Sequence, residues 1–428
     1  MQTEFNWKNC WYPVVFLADL TAGKPYSFSL YGDSLVLFRD GEGRLACVPD
    51  RCPHRAARLS DGQIIDGKLE CLYHGWQFSG TGDCVRIPQL PPDKQIPAPA
   101  CLKPYRIAEV QGMVWLWPGD ADLADEASIP TIAALAQADM VCMDYVIDLP
   151  YDQTYLIENV IDVAHIHIVH DGIRGGGKRE MALPLEFSIL ENSVHGIKSQ
   201  FRSLGLYSDQ AMSKINSAEV EFVAPNLIHY ASNYKNPELV SGLALYSIPL
   251  ASGSCRLLYR KYSNFYKWRE RAKPRWLDHW TQNTILKQDM ALIIGQYSEI
   301  ERSGENVKDL WLPLKTSDTL VIHYRKWLDK YAADTPFYRG YASHKSTGIR
   351  SDKNPQDVFN IHTRQCAVCL KIYSALQKLQ TVLMVCLLLT VPLMIVLAAT
   401  EWFYAAIGCY GLALLVLAVI GRVKRKFE

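Results

Sequence analysis

Two cysteines and two histidines stand in matched pairs near the start of the chain. Cys52-Pro-His54 is followed, sixteen residues later, by Cys71-Leu-Tyr-His74. Thiolates and imidazoles hold borderline-soft metals, so by ligand type alone these four could carry zinc or an iron–sulfur centre. A second concentration of ligands lies in YLIENVIDVAHIHIVHDG, from Tyr155 to Gly172. Asn159, Asp162 and His165 step by three and so share a broad face of one helix. On a continuing helix His170 would lie about 140° from His165. Convergence of the two histidines on one metal therefore requires the helix to break or loosen after Ile166. His167 fits poorly with such a pair and is read as structural or as support for a ligand.

The elements around these residues separate the readings. Residues 10 to about 118 form short runs rich in aromatic and β-branched residues, among them SFSLYG, SLVLFRD and MVWLWPG, punctuated by Gly and Asp. Each Cys/His pair falls between two such strands, and the second continues as Gly75-Trp76-Gln77-Phe78. The composite CPHR…CLYHGW resembles the Rieske [2Fe–2S] motif. In that family two thiolates hold one iron and two imidazoles the other, which raises the reduction potential. The resemblance implies that Cys52 and Cys71 ligate the inner iron and His54 and His74 the outer one, with the histidines as the surface exit for electrons. Arg51, Arg55 and Arg58 are read as solvated or structural charges.

The stretch from Asn159 to His170 resembles the NxxDxxHxxxxH motif of the Rieske non-haem iron oxygenases. That resemblance implies a mononuclear Fe(II) held by His165, His170 and a distant acid on a late helix. Such a 2-His-1-carboxylate triad leaves positions open for O₂. Asp289, in LKQDMAL from Leu286 to Leu292, matches the family pattern, with Asp278 and Glu299 as rivals. The resemblance also implies a trimer, the usual state of family members, in which a Rieske histidine of one subunit approaches the iron site of the next. Here His74 would meet Asp162, which also accepts from His165, and Asn159 would contact or flank the iron.

The chain has 428 residues, with 45 Lys and Arg against 44 Asp and Glu. A near-neutral chain with 11% aromatics is neither disordered nor a nucleic-acid-coating protein. Twelve cysteines are too dilute for a disulfide-stapled scaffold. The expected fold class is α+β. An all-β Rieske domain (1–120) precedes an antiparallel-sheet, helix-grip-like catalytic domain (138–345), with helices at Tyr155 to Ala164 and Trp276 to Arg302. A linker follows (346–380) and then a membrane hairpin (381–421). GIRGGGK, from Gly172 to Lys178, lacks the spacing of a phosphate-binding loop. No internal repeat is apparent.

The hairpin rests on two uncharged runs, Thr381 to Thr400 and Phe403 to Gly421, each about long enough to cross a hydrocarbon core. Lys371 and Lys378 precede the pair, and Arg422, Lys424, Arg425 and Lys426 follow it. The positive-inside bias puts both ends and the catalytic part on the cytoplasmic or stromal side. Pro392 is tolerated in a membrane helix. The N-terminus shows no secretory or plastid-transit pattern, so the expected host is a cyanobacterium, with the protein in its thylakoid or plasma membrane.

Cys366-Ala-Val-Cys369 stands just before the hairpin and reads as a thiol redox pair, as half a metal site, or as two free cysteines. A Rieske oxygenase followed by CxxC and a membrane hairpin resembles the pheophorbide a oxygenase and chlorophyllide a oxygenase group. The resemblance implies oxygenation, with O₂, of a hydrophobic, chlorophyll-derived substrate. Electrons would come from a ferredoxin or a flavin-dependent reductase, because the chain carries no recognisable flavin or NAD(P) domain. Two alternatives stand beside this reading. One is hydroxylation or demethylation of another lipophilic metabolite, such as a sterol or aromatic natural product. The other is a non-catalytic membrane electron-transfer or redox-sensing protein.

Overall fold

The computed structural model describes residues 5–428 except 138, 174–175, 204–214, 266–271, 346–353 and 355. Two residues of the glycine-rich loop, Arg174 and Gly175, thus lie outside the described residues, as does most of the start of the expected linker.

The N-terminal part is all-β. Strands β1 (Tyr12–Phe16), β9 (Arg106–Val110) and β10 (Met113–Trp117) form a sheet ordered β1-β10-β9. A second sheet joins β2 (Tyr26–Leu30), β3 (Asp33–Arg39) and β4 (Leu45–Pro49). A third joins β5 (Gln63–Ile65), β6 (Lys68–Glu70), β7 (Gln77–Phe78) and β8 (Cys84–Arg86). Every residue of β1 and β10 is buried, so these strands are covered on both faces. The reason is a core shared with the next domain. Trp115 packs edge-on to Tyr246 at 5.6 Å, within a cluster that also holds Val114, Ala244 and Leu258.

The second domain is a seven-stranded antiparallel sheet ordered β11-β17-β16-β15-β14-β13-β12. Its strands are β11 (Val141–Leu149), β12 (Leu185–Ser193), β13 (Gly196–Ser203), β14 (Ile215–Val223), β15 (Leu227–Tyr234), β16 (Ser241–Ala251) and β17 (Ser254–Ser263). Strand β11 shows the period of two that a sheet between unlike layers demands. Tyr145, Ile147 and Leu149 pack with Met290, Ile293, Tyr297 and Ile300 of the long helix that follows the sheet. Asp144 and Asp148 point the other way and pair across the strand with Arg260 and Arg256, each at 2.6 Å. Arg256 also donates to Tyr26 Oη at 2.6 Å, so this polar row joins the two domains.

Helices α1 (Gln153–Ile161) and α2 (Ile166–Val169) fill the crossover between β11 and β12. Helix α3 (Arg275–Ser303) covers the sheet, and α4 (Thr319–Tyr331) packs Tyr324, Trp327 and Leu328 against Ile157, Phe222 and Ile228. The chain ends in two apolar helices, α5 (Ala367–Leu397) and α6 (Trp402–Lys424). Both are long and apolar enough to cross a membrane, and their most apolar stretches are almost wholly exposed. Helix α5 starts fourteen residues before the uncharged run, so the CxxC of the 346–380 linker lies at the head of this helix. Its first turns pack into the shared core: Cys366 and Cys369 are buried, with Ile372 and Leu376 against them.

Candidate metal centre

The four Cys and His residues of the first domain occupy two loops, one after β4 and one between β6 and β7. Each loop closes the same way. Cys52 N–H donates to Ala57 O at 2.8 Å and Ala56 N–H to Cys52 O at 2.9 Å. In the second loop Cys71 N–H donates to Trp76 O at 2.9 Å and Gly75 N–H to Cys71 O at 2.8 Å. Ala56 and Gly75, at the matching position, both have positive φ, 57° and 72°. A side chain on Gly75 would also press on Pro88. The two loops, 52–57 and 71–76, are therefore a structural repeat of six residues in which only the leading Cys matches in position.

This geometry sorts the four side chains by depth. Cys52 and Cys71 are buried, His54 is exposed and His74 is half-buried. The two imidazoles lie 4.5 Å apart, and His54 stacks on Trp76 at 4.8 Å. Burial pushes the Cys52 thiol up to about 11, with the facing Cys71 adding to it, a balance that a bound cation reverses. Asp50 fixes the first loop by accepting from Ser60 N–H at 2.7 Å and from Ser60 Oγ at 2.6 Å.

In the second domain His165, His170 and Asp289 bring their ligand atoms within 4.8 Å of one another. His165 Nε2 lies 3.7 Å and His170 Nε2 3.3 Å from Asp289 Oδ1. That carboxylate oxygen is buried and has no hydrogen-bond partner. An orphaned carboxylate oxygen facing two imidazole nitrogens fits a metal ion, which alone would satisfy all three. The far nitrogens face outward. His165 Nδ1 is 3.5 Å from Asp162 Oδ2, and His170 Nδ1 is 3.0 Å from Gln288 Oε1. Gln288 has no precedent in the sequence reading, since a glutamine beside the acid carries no signal of its own.

The helix break falls earlier than expected. Helix α1 ends at Ile161, and Asp162 is extended at φ −78°, ψ 102°. Its Oδ1 accepts from Ala164 N–H at 2.8 Å, a side-chain turn that replaces the next helical hydrogen bond. His165 therefore starts a separate turn, α2, and does not share a helix face with Asn159 and Asp162. His170 closes that turn, which swings both imidazoles toward α3. The glycine-rich loop backs the turn: a Cβ on Gly176 would meet His170 O and one on Gly177 would meet His167 Cα. His167 stays outside the cluster and accepts from Lys178 N–H at 3.3 Å. Of the rivals to Asp289, Asp278 pairs with Lys273 and Glu299 with Arg302, away from the histidines.

Helices α1, α3 and α4 are held together beneath this cluster by Glu158. It accepts from Arg325 and, at 3.1 Å, from Gln296 Nε2. Arg325 is fully buried. Above the cluster opens a cavity of about 1540 Å³, larger than the usual small-molecule pocket of roughly 300–1,000 Å³. Asn159, His165, His170 and Asp289 line it, with Phe201, Leu243, Tyr259 and Ile285 also among its walls.

A Rieske [2Fe-2S] domain model matches residues 10–106, and a pheophorbide a oxygenase model matches residues 222–307. Protein TIC 55 of Arabidopsis thaliana, a chloroplast protein, is 36% identical over 342 residues, which are 79% of this chain and 62% of that protein. The chain thus spans about three fifths of that relative's length. The chloroplast pheophorbide a oxygenase of Oryza sativa subsp. japonica is 30% identical over 414 residues, 89% of this chain and 76% of that enzyme. Among solved structures, dicamba monooxygenase bound to 3,6-dichlorosalicylic acid aligns over 76% of this chain and 98% of its own, with a TM-score of 0.65 and 22% identity. That last likeness is one of fold.

Proposed function

This chain belongs to the Rieske non-haem iron oxygenases of the pheophorbide a oxygenase group, and from that premise we propose that it oxygenates a large, flat, hydrophobic substrate of chlorophyll-derived type. The observation that carries the proposal is the cavity of about 1540 Å³ lined by His165, His170 and Asp289 together with aromatic and aliphatic side chains.

In this reading Cys52, Cys71, His54 and His74 hold a [2Fe–2S] cluster, and His165, His170 and Asp289 hold a mononuclear iron. When bound, the cluster relays single electrons and the iron activates O₂. The chain's own residues do the rest. Gln288 accepts from His170 Nδ1–H, and the Asp162 carboxylate faces His165 Nδ1 at 3.5 Å, so each imidazole presents its Nε2 lone pair inward. Asn159 borders the cavity beside them and flanks the substrate path. The apolar walls bind the substrate's flat face and keep bulk water off the reacting carbon.

Electrons come from an external ferredoxin or flavin-dependent reductase. They reach the catalytic site through a homotrimer in which Asp162 receives His74 of the partner subunit. Support for a docking surface at the cluster is the exposure of Leu72 (61%) and Tyr73 (57%) beside His74. Helices α5 and α6 anchor the chain in a membrane, with the catalytic part on the side of the basic flanks, cytoplasmic or stromal. The two relatives named above are chloroplast proteins and lend a cyanobacterial host no support.

The test is anaerobic reduction of the purified full chain with a ferredoxin system, then O₂, against chlorophyll breakdown products and smaller lipophilic aromatics. A mass gain of one or two oxygen atoms in a tetrapyrrole is the expected result. Oxygenation of the smaller aromatics alone moves the substrate class to another lipophilic metabolite. No product from any of them, with only the two cluster irons bound per chain, makes it an electron-transfer protein.

A further inference from the structure

Among the described residues, a second group gathers its ligand atoms within 4.8 Å: His279, His362, Cys366 and Cys369, all four buried. They come from three separate places in the chain. His279 lies in the second turn of α3, His362 in a π-helical turn at Phe359–Thr363, and the cysteines at the head of α5.

The hydrogen bonds fix which nitrogen of each imidazole is free. His279 Nε2 is 2.9 Å from Asp144 O, and His362 Nδ1 is 2.5 Å from Val146 O. A carbonyl oxygen can only accept, so both of these nitrogens carry the proton. The opposite nitrogens, His279 Nδ1 and His362 Nε2, hold lone pairs. They lie 3.2 Å and 3.3 Å from Cys369 Sγ, and His279 Nδ1 is 3.6 Å from Cys366 Sγ. Imidazoles anchored through the far N–H to backbone carbonyls are the usual support of a metal-binding histidine. The carbonyls come from β11, the outer strand of the sheet, whose free edge they terminate.

Distance and charge fit one ion. A tetrahedral ion with bonds of about 2.3 Å to sulfur and about 2.1 Å to nitrogen separates an S from an N by about 3.6 Å. The observed S–N separations of 3.2–3.6 Å match that edge. Two thiolates and two neutral imidazoles around a divalent cation sum to zero charge, which a buried site tolerates. The Rieske-motif residues, also two Cys and two His, do not form such a group within 4.8 Å among the described residues, as suits a two-iron cluster.

We propose that His279, His362, Cys366 and Cys369 form a closed tetrahedral site for one divalent ion of the zinc class, clipping the base of the apolar hairpin to the catalytic domain. The ion would displace the two thiol protons and change no oxidation state. The site has no open position for substrate, and its role is structural. It links α5 to α3, the helix that carries Asp289, and to β11. Asp19 of the first domain meets it from outside, accepting from Ala367 N–H at 3.0 Å. This inference stands whether or not the chain is an oxygenase.

The test is metal analysis of the full chain purified in detergent without chelator. The expected result is one zinc per chain beside the iron, released when a mercurial titrates the thiols. Replacing both cysteines, Cys366→Ser with Cys369→Ser, should remove that equivalent and leave the Rieske absorption and EPR signal in place. Cobalt exchanged into the wild-type chain should show the strong visible bands of a tetrahedral site with thiolate ligands, a readout that survives if the variant does not fold. Absence of zinc from the wild-type chain, with the two thiols titrating only after a disulfide reductant, overturns the proposal in favour of a redox pair.

Discussion

Gln288 sets its Oε1 3.0 Å from His170 Nδ1, one residue before Asp289 in the same helix. One turn of α3 therefore supplies both a proposed ligand, Asp289, and the group that aims the neighbouring His170. Gln288→Leu keeps the bulk but removes the acceptor, and His170 becomes free to turn. Iron affinity should fall about 10- to 100-fold. Gln288→Glu, which restores an acceptor, should recover most of it. Iron retained per chain across a chelator series measures both; unchanged retention in Gln288→Leu means that packing alone orients His170.

Asp162 has a different position, since it stops α1, starts the turn that carries His165 and faces His165 Nδ1 at 3.5 Å. Asp162→Asn keeps the Oδ1 that accepts from Ala164 N–H, so the turn should form. In the proposed homotrimer it removes the negative charge between the two metal centres. The expected outcome is full loading of both metals with slowed oxidation of the reduced cluster in a single turnover with substrate and O₂. A wild-type rate in that assay excludes Asp162 as the bridge.

Glu158 and Arg325 hold the three helices under the site. Burial raises Glu158 above the usual carboxylate range even with Arg325 in contact, so the pair carries a large desolvation cost. Arg325→Met leaves that carboxyl buried without its partner and should cost about 3 kcal/mol or more. Adding Glu158→Gln to Arg325→Met should return part of the loss. Thermal unfolding of the three proteins compares them; a double variant less stable than Arg325→Met would show that the cost lies in lost packing.

The motifs of the first site could be read from the sequence because each joins ligands close together in the chain. CPH and CLYH lie on single loops, and His165 and His170 flank one short turn. What could not be read came from contacts between distant segments. Helix α3 buries His279, Asn283 and Asp289 in line with Met290, Ile293, Tyr297 and Ile300, so polar residues interrupt its apolar stripe. His279 and His362 are 83 positions apart, and although His362 stands four residues before Cys366, a lone histidine there carries no ligand signal of its own. The helix break was displaced because Asp162 competes for the backbone locally, an effect that spacing does not encode. The loop repeat was hidden because its common feature is hydrogen bonding, shared by two stretches with little sequence in common.

His229 gives the protein a pH response on the catalytic sheet. Burial holds its pKa down to about 4, with Glu219 opposing and Lys198 adding to the shift, and its Nε2 lies 2.7 Å from Tyr262 Oη. Above pH about 6.5 the imidazole is neutral folded or unfolded, and no stability is lost. As the pH falls below that, the unfolded chain takes the proton first. Stability is then lost between pH about 6.5 and about 4, by up to about 3 kcal/mol. His229→Gln should flatten that part of the profile, read as the difference in melting temperature between the two proteins across this range. Parallel profiles would place the proton elsewhere.

The cavity makes the sharpest claim about substrate, because size can be tested apart from chemistry. Ala231 lies on its wall in β15, beyond reach of the metal ligands in sequence and on a different element. Ala231→Trp adds a rigid ring to a wall that already holds Phe201 and Leu243. If the proposed tetrapyrrole fills this space, its kcat/KM should fall more than about 10-fold, the loss expected when about 1.4 kcal/mol or more of binding is removed. Iron content and the Rieske spectrum should not change, since no ligand or supporting residue is touched. Small aromatics that leave the space unfilled should be turned over as before. Equal losses for large and small substrates would point to a disturbed sheet. Full activity on the tetrapyrrole would mean that the substrate lies elsewhere, and the size argument would fail.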